Sequence, residues 1–572
     1  MPLILSATEN TVWPQWLIFG VYMAVILAVA LVTRRKSVSV EGFMFANKGV
    51  GGWLSAFAYG ATYFSAVVFV GYAGKFGWNF GLSAVWIGIG NMLIGTLAAW
   101  LLLARRTKAM TTALQARTMP EFFEKRYESK YIKLVAALII FVFLLPYSAS
   151  VYQGMGYIFD AALGIGADWC IFILAALTAL YLFLGGYFAT TITDFIQGMI
   201  MIVGIMVTVF MLLGSPQMNW GEGLGALFND PSLTLVPNPV TPEGGTFLNN
   251  QMFSVIVLIC LTSFGMWGLP QSIHKFYAIK DDAAIRKGAV ISTVFSAIVG
   301  CGAYFMGSMI TRFVDTVPDG NYDKLVPEML VNNLPSALLG LIIVLLFSAS
   351  MSTLAALSLS SSSTVTVDFY KGYIRKSAPE KNLNILIRVL CLVFVALSAV
   401  LAIAEVDAIV SMMSLSWGTI AGCFIGPYVY GLYFKKANKA GAYASMAFSI
   451  ALTFSLIIGL GYYVLRSAGG DPTFGEAFKA GIGQSPFIGV LAMASSMIVT
   501  PVFSLIFDKK CRVSAELIST VFPDVDKDEY VRRSRAGAQS VGDVAGEATE
   551  PVAEESCGVC AEASADCGSE RK

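Results

Sequence analysis

Apolar residues run through this chain in stretches of about twenty, separated by short polar turns, from near residue 14 to near residue 508. Eighteen or more mostly apolar positions in a row form a helix long enough to cross about 30 Å of hydrocarbon. The pattern predicts thirteen spans: about 14–33, 52–76, 81–104, 131–161, 168–186, 190–214, 250–276, 286–313, 336–366, 385–404, 408–434, 440–465 and 486–508. Two of them, the second and the seventh, carry signs of interruption at mid-depth. Ser55–Ala66 has Gly60 among clustered hydroxyls, and Thr262–Gln271 has Gly265, Gly268 and Pro270. Proline removes a backbone hydrogen bond and glycine weakens a helix. Freed backbone groups persist at that depth only where they line a cavity. Five spans separate the two starts, as expected for the first helices of two five-helix repeats in inverted orientation. Two ordinary kinked helices are the alternative.

The ninth span adds hydroxyls where lipid contact would call for none. Leu346–Thr364 holds Ser348, Ser350, Ser352, Thr353, Ser358 and a run from Ser360 to Thr364, with no acid before Asp368. Ala349, Ser352 and Thr353 fall at i, i+3 and i+4, on one helix face. The Ala349 carbonyl and the two hydroxyls make a half-shell of hard, neutral oxygens that suits a small hard cation. Helix–helix packing through small residues is the alternative. If the second span breaks, the carbonyls of Ala61 and Phe64 can complete the shell. Broken-helix N-termini and free amides then favour an anionic group on a solute. No Lys or Arg lies clearly within this region.

Composition narrows the classes. The chain is 56% hydrophobic and 13% charged, with a mean hydropathy of +0.70, against about 25% charged residues in soluble proteins. This is an all-α polytopic membrane protein, with no sign of a nucleic-acid partner. A single histidine, His274, excludes a histidine metal cluster, and nine scattered cysteines suggest no disulfide framework. Nucleophilic-triad and phosphate-cradling patterns are absent and no ATP-binding domain is evident, so no enzyme is expected. No removable signal peptide is read at the N-terminus. Charge then fixes orientation: with the N-terminus outside, 33 of the 38 Lys and Arg fall in alternate, inward loops or the C-terminal tail. Only the uncharged turn near Tyr187 is silent. The outer loop 215–249 is proline-rich and has no Lys or Arg. Thr118, followed by Pro120 and Glu121, predicts a short helix in the loop 105–130. The polar tail 509–572 reads as cytoplasmic and disordered, and its Cys557, Cys560 and Cys567 lack an evident fourth metal ligand.

At these same residues the sequence resembles the sodium:solute symporter family. Gly185–Gly198 is similar to the family's glycine-glycine, threonine-aspartate and glutamine-glycine motif, Gly268–Phe276 to its second broken helix, and Met351-Ser352-Thr353 to its sodium helix. The resemblance implies a LeuT-like fold of thirteen transmembrane helices: repeats at about 52–214 and 250–434, one helix before them and two after. It implies a sodium site at Ala61, Phe64, Ala349, Ser352 and Thr353. Ala355 and Ala356 stand where members with a second sodium have serines, so one coupling ion is expected. Asp194 matches a family acid linked to coupling; capping its helix is the alternative. Solute contacts are expected from Thr62, Ser65, Tyr147, Thr262, Met266 and Trp267. Tyr63, Thr262 and Met266 depart from the proline transporters' pattern, which puts a small carboxylate of pantothenate or monocarboxylate type first and proline or another amino acid second. The partners are then sodium, a small organic solute and the lipid bilayer, in a cell (bacterial inner) membrane. A transporter-fold sensor, a passive facilitator and proton coupling are the other readings. Oligomeric state is not legible.

Overall fold

The computed structural model describes residues 13–33, 49–229, 234–241, 247–467 and 469–522. The tail cysteines Cys557, Cys560 and Cys567 lie outside them. The described chain is helical throughout, with one isolated bridge between Val50 and Ile279 and no strand among the described residues. Its part up to Val513 forms one compact unit. Beyond it, in a second unit, a short helix (Ala515–Val521) is N-capped by Ser514, whose hydroxyl accepts from the Leu517 amide.

In order, α1 is Trp13–Thr33, α2 Gly52–Tyr63, α3 67–80, α4 81–113, α5 Met119–Tyr127, α6 Lys130–Leu163 and α7 Ala167–Leu213. After α8 (Gly221–Asn229) come α9 Gln251–Gly268, α10 Pro270–Tyr277, α11 Asp282–Arg312, α12 Leu325–Asn333 and α13 Ser336–Ile374. The chain continues as α14 Glu380–Ile403, α15 Ile409–Tyr433, α16 Lys439–Ser467, α17 Phe474–Ile482 and α18 Ser485–Ile506. Thr118 caps α5 as the sequence predicts, accepting from the Glu121 amide at 3.1 Å.

Twelve of the described helical runs, not thirteen, are long and apolar enough to cross a membrane. The difference lies at the first break. The run Val67–Ala113 joins the rest of the second expected span to the third, and 47 residues would extend about 70 Å, twice what a bilayer needs. Gly81, at φ 54°, ψ −132°, divides it; with α2 restored to α3, thirteen crossings result. The uncharged turn near Tyr187 also takes an unexpected form, because α7 is one 47-residue helical element. It cannot be straight. Tyr181 and Thr193 share a hydroxyl–hydroxyl hydrogen bond, yet twelve residues of straight helix would separate them by about 18 Å.

Both expected breaks are present. Phe64, at φ −101°, ψ 110°, ends α2, and Leu269, at φ −86°, ψ 123°, separates α9 from α10. The second has an evident cause, since proline pushes the preceding residue into the extended region. Close packing requires glycine beside each break. A Cβ on Gly60 would sit 2.4 Å from the Phe295 ring, and one on Gly268 would sit 2.7 Å from the Ala421 Cα. The two interrupted helices meet where the Tyr63 hydroxyl donates to the Thr262 carbonyl at 2.8 Å. Around this crossing α13 and α15 are the most enclosed spans, 83% and 94% buried over their most apolar 18 residues, against 22% for α16.

Candidate ion and solute site

The break after α2 leaves the carbonyls of its last turn without the helical partners they would otherwise have. The hydroxyls of α13 meet them. Ser352 Oγ lies within hydrogen-bond distance of Ala61 O at 2.8 Å and of Ala349 O at 3.0 Å, with one proton to share between them. Thr353 Oγ1 lies 3.0 Å from Ala349 O, 3.3 Å from Thr62 O and 3.4 Å from Ala61 O. Five neutral oxygens thus converge in a fully enclosed volume. Neighbouring oxygens around a hard cation held at about 2.4 Å are separated by about 3.4 Å, so small outward shifts convert this cluster into a coordination shell. No group of three or more His, Cys, Asp or Glu side chains competes for a metal among the described residues. Phe64, expected to supply a carbonyl, forms the break itself, with its amide on Gly60 O at 3.1 Å.

The expected solute residues divide into two groups. Ser65 and Tyr147 come together beside the ion cluster. The Tyr147 hydroxyl faces Ser65, Thr353 and Trp417 but meets hydrogen-bond geometry with none of them. Its ring stands edge-on to Trp417 at 5.6 Å and 89°. The Trp417 indole N–H is likewise buried without an acceptor. Trp417, carried by α15 in the sequence Ser414-Leu-Ser-Trp417, was not among the expected residues; an indole interleaved with hydroxyls in a membrane span is the signal that points to it. Tyr63 lines the same place, stacked on Phe64 at 4.6 Å and tilted against Trp417 at 6.1 Å.

The other residues are engaged elsewhere. The Thr62 hydroxyl turns back along α2 to Ala58 O at 2.7 Å, and only its carbonyl reaches Thr353. Thr262 Oγ1 is held by Asn91 Oδ1 at 2.6 Å and Leu258 O at 2.7 Å. Trp267 Nε1 donates to Ile94 O at 3.1 Å, and the Met266 sulfur accepts a weak bond from Ser272 Oγ at 3.5 Å. Asp194 lies on α7 and forms a buried ion pair with Lys275 of α10, 3.0 Å between Oδ2 and Nζ. Lys275 had no expected role; the pairing joins residues 81 positions apart, and no local pattern announces it.

The model of the sodium:solute symporters matches residues 43–448, well over half of the chain. The chain belongs to the sodium:solute symporter family. Among its relatives, the osmoregulated proline transporter of Bacillus subtilis (strain 168) is 27% identical over 440 residues, covering 75% of this chain and 85% of that protein. The sodium/pantothenate symporter of Haemophilus influenzae is 28% identical over 471 residues, covering 79% and 90%. Among solved structures, a Na+-coupled sialic acid symporter in a substrate-bound outward-open state superposes with a TM-score of 0.68 at 18% identity, over 86% of this chain and 98% of that one. The fold is therefore the LeuT-like inverted repeat of the symporters. Membership makes this a multi-pass membrane protein that couples solute movement to sodium.

Proposed function

We propose that this symporter imports a small carboxylate-bearing solute together with one sodium ion, by alternating access. The single observation that carries the solute class is the pair of buried donors without acceptors, Tyr147 O–H and Trp417 N–H, beside Ser65 and Thr353. Leaving such groups unsatisfied costs about 1–3 kcal/mol each. A carboxylate would satisfy both and stand next to the ion. The relatives named above, which carry proline and pantothenate, support the class without choosing between its members. Pantothenate or a monocarboxylate is the first choice here and proline the second, because the Thr262 hydroxyl and the Trp267 indole are already bonded to α4.

In this reading Ala61, Thr62, Ala349, Ser352 and Thr353 hold sodium across the join between the first broken helix and α13. Binding there favours one arrangement of the two elements, and solute bound at Tyr147 and Trp417 favours the same one. The resulting coupling is reciprocal. The inward potential adds about 2.3 kcal/mol per charge for each 100 mV. The charge asymmetry of the loops supports an outside N-terminus.

The deciding experiment is uptake into proteoliposomes of labelled pantothenate, lactate, pyruvate, acetate, proline and sialic acid, with and without an inward sodium gradient. Accumulation of a carboxylate only with sodium is the expected result. Equal equilibration in both conditions would leave a facilitator, and binding without flux would leave a sensor.

A further inference from the structure

A concavity lies away from the ion cluster, where α5, the start of α6 and the end of α13 converge. It encloses about 940 Å³, at the upper end of small-ligand sites. Six cations line it: Arg117, Lys125, Lys130, Lys133, Lys371 and Lys376. Only two acids line it with them, and both are committed. Glu121 pairs with Lys125 at 3.0 Å and Glu124 with Lys133 at 2.9 Å. Beneath the cavity, buried Asp368 is held by Thr118 at 2.8 Å and lies 3.6 Å from Lys133 Nζ. The side chains of Arg117, Lys130, Lys371 and Lys376 form no ion pair among the described residues.

Cations spread over a solvated face would cost little. Here they are gathered on several chain segments around one hollow, where like charges repel and a concave wall focuses the positive potential. The two ion pairs stiffen the wall. A guanidinium together with several ammonium groups is the donor set that phosphate oxygens accept from. The volume exceeds what one inorganic phosphate fills.

We propose that this cavity binds a ligand carrying clustered phosphates, either a free polyphosphate or nucleotide or the headgroup of an anionic lipid. Purified protein in neutral detergent would be titrated calorimetrically with pyrophosphate and with ATP. In parallel, protein in nanodiscs of phosphatidylcholine alone, or with added cardiolipin, would be scored by native mass spectrometry for retained lipid. One of the two arms is expected to show saturable binding that weakens with salt. Arg117→Gln with Lys371→Gln and Lys376→Gln should weaken it at least about tenfold, with an unchanged melting temperature. If that variant does not fold, Lys376→Glu, at an exposed position, replaces it with the same expected direction. Absence of binding in both arms, or binding that the variants leave unchanged, overturns the proposal. No step measures uptake, so the result stands apart from the symporter reading.

Discussion

The two interrupted helices occupy equivalent places in the inverted repeat and do unequal chemistry. At the first break, the carbonyls of Ala61 and Thr62 face the hydroxyls of α13 at 2.8–3.4 Å. At the second, the polar atoms are closed off: Thr262 Oγ1 goes to Asn91, the Thr262 carbonyl to Tyr63 and Trp267 Nε1 to Ile94. The first break offers oxygens to a cation, while the second is stitched to α4. A repeat fold supplies two broken helices; the side chains beyond each break decide what it does.

The far halves differ too. Each carries a Lys-Phe pair, Lys75-Phe76 on α3 and Lys275-Phe276 on α10. Lys275 closes on Asp194 at 3.0 Å with both side chains enclosed, whereas Lys75 faces Asp323 and Asp407 without an ion pair among the described residues and lies over the Tyr322 ring at 5.9 Å. Removing one member of a buried pair strands the other, at about 3–5 kcal/mol. Lys275→Ala should therefore lower the melting temperature in detergent far more than Lys75→Ala. Equal losses would mean that the two ends are held alike.

Next in size is the ion cluster. Ser352→Ala combined with Thr353→Ala removes two of the five converging oxygens and should abolish sodium stimulation of uptake. Thr353→Ala alone should raise the half-saturating sodium concentration by about tenfold or more, equivalent to about 1.4 kcal/mol, with expression unchanged. Thr262→Val, at the other break, should leave that concentration within about threefold, since its hydroxyl donates to Asn91 and not to the cluster. Sodium dependence that shifts equally in both would erase the distinction between the breaks.

A smaller effect separates ion from solute. Trp417→Phe keeps a ring beside Tyr147 and deletes the unsatisfied N–H, and Tyr147→Phe deletes the hydroxyl. Each should raise the solute KM several-fold, roughly the worth of one hydrogen bond, while half-saturating sodium at saturating solute moves less. A changed sodium requirement with unchanged KM would place both residues in the ion site instead.

Much of this was legible in the chain before folding. Gly60 and the Gly268–Pro270 stretch announce the breaks because backbone chemistry is local. Ala349, Ser352 and Thr353 announce one face because helical spacing is local. Trp417, Lys275 and the Thr62 carbonyl were not legible, since their roles depend on which helices the topology brings together across tens to hundreds of residues. Thr62 shows a further limit: its type suggests a solute contact, but its rotamer spends the hydroxyl on Ala58 O. The thirteen expected spans are recovered only when α2 is joined to α3 and the run Val67–Ala113 is divided at Gly81, where the apolar pattern also places a boundary.

The last effect falls on Asp323, which faces Lys75, under acid. Asp323 lies in the segment before α12, buried, with its carboxylate accepting the Ile409 amide at the start of α15 at 3.0 Å. Burial pushes its carboxyl up to about 6, against the pull of the Ile409 amide and Lys75, while Asp407 and Glu405 push it further up. Because the folded value lies above the ordinary one of 3.8, the native state holds a proton that an unfolded chain would release. That contribution is complete below about pH 4 and fades as pH rises through 6, by about 3 kcal/mol. Asp323→Asn keeps an acceptor for Ile409 and cannot ionise. The difference in melting temperature, wild type minus Asp323→Asn, should therefore fall between pH 4.5 and pH 7.5, and a constant difference would show that Asp323 stays charged throughout. If it falls, the α3 end of the structure loosens toward neutral pH, as buried Asp323 gives up the proton that its burial favours.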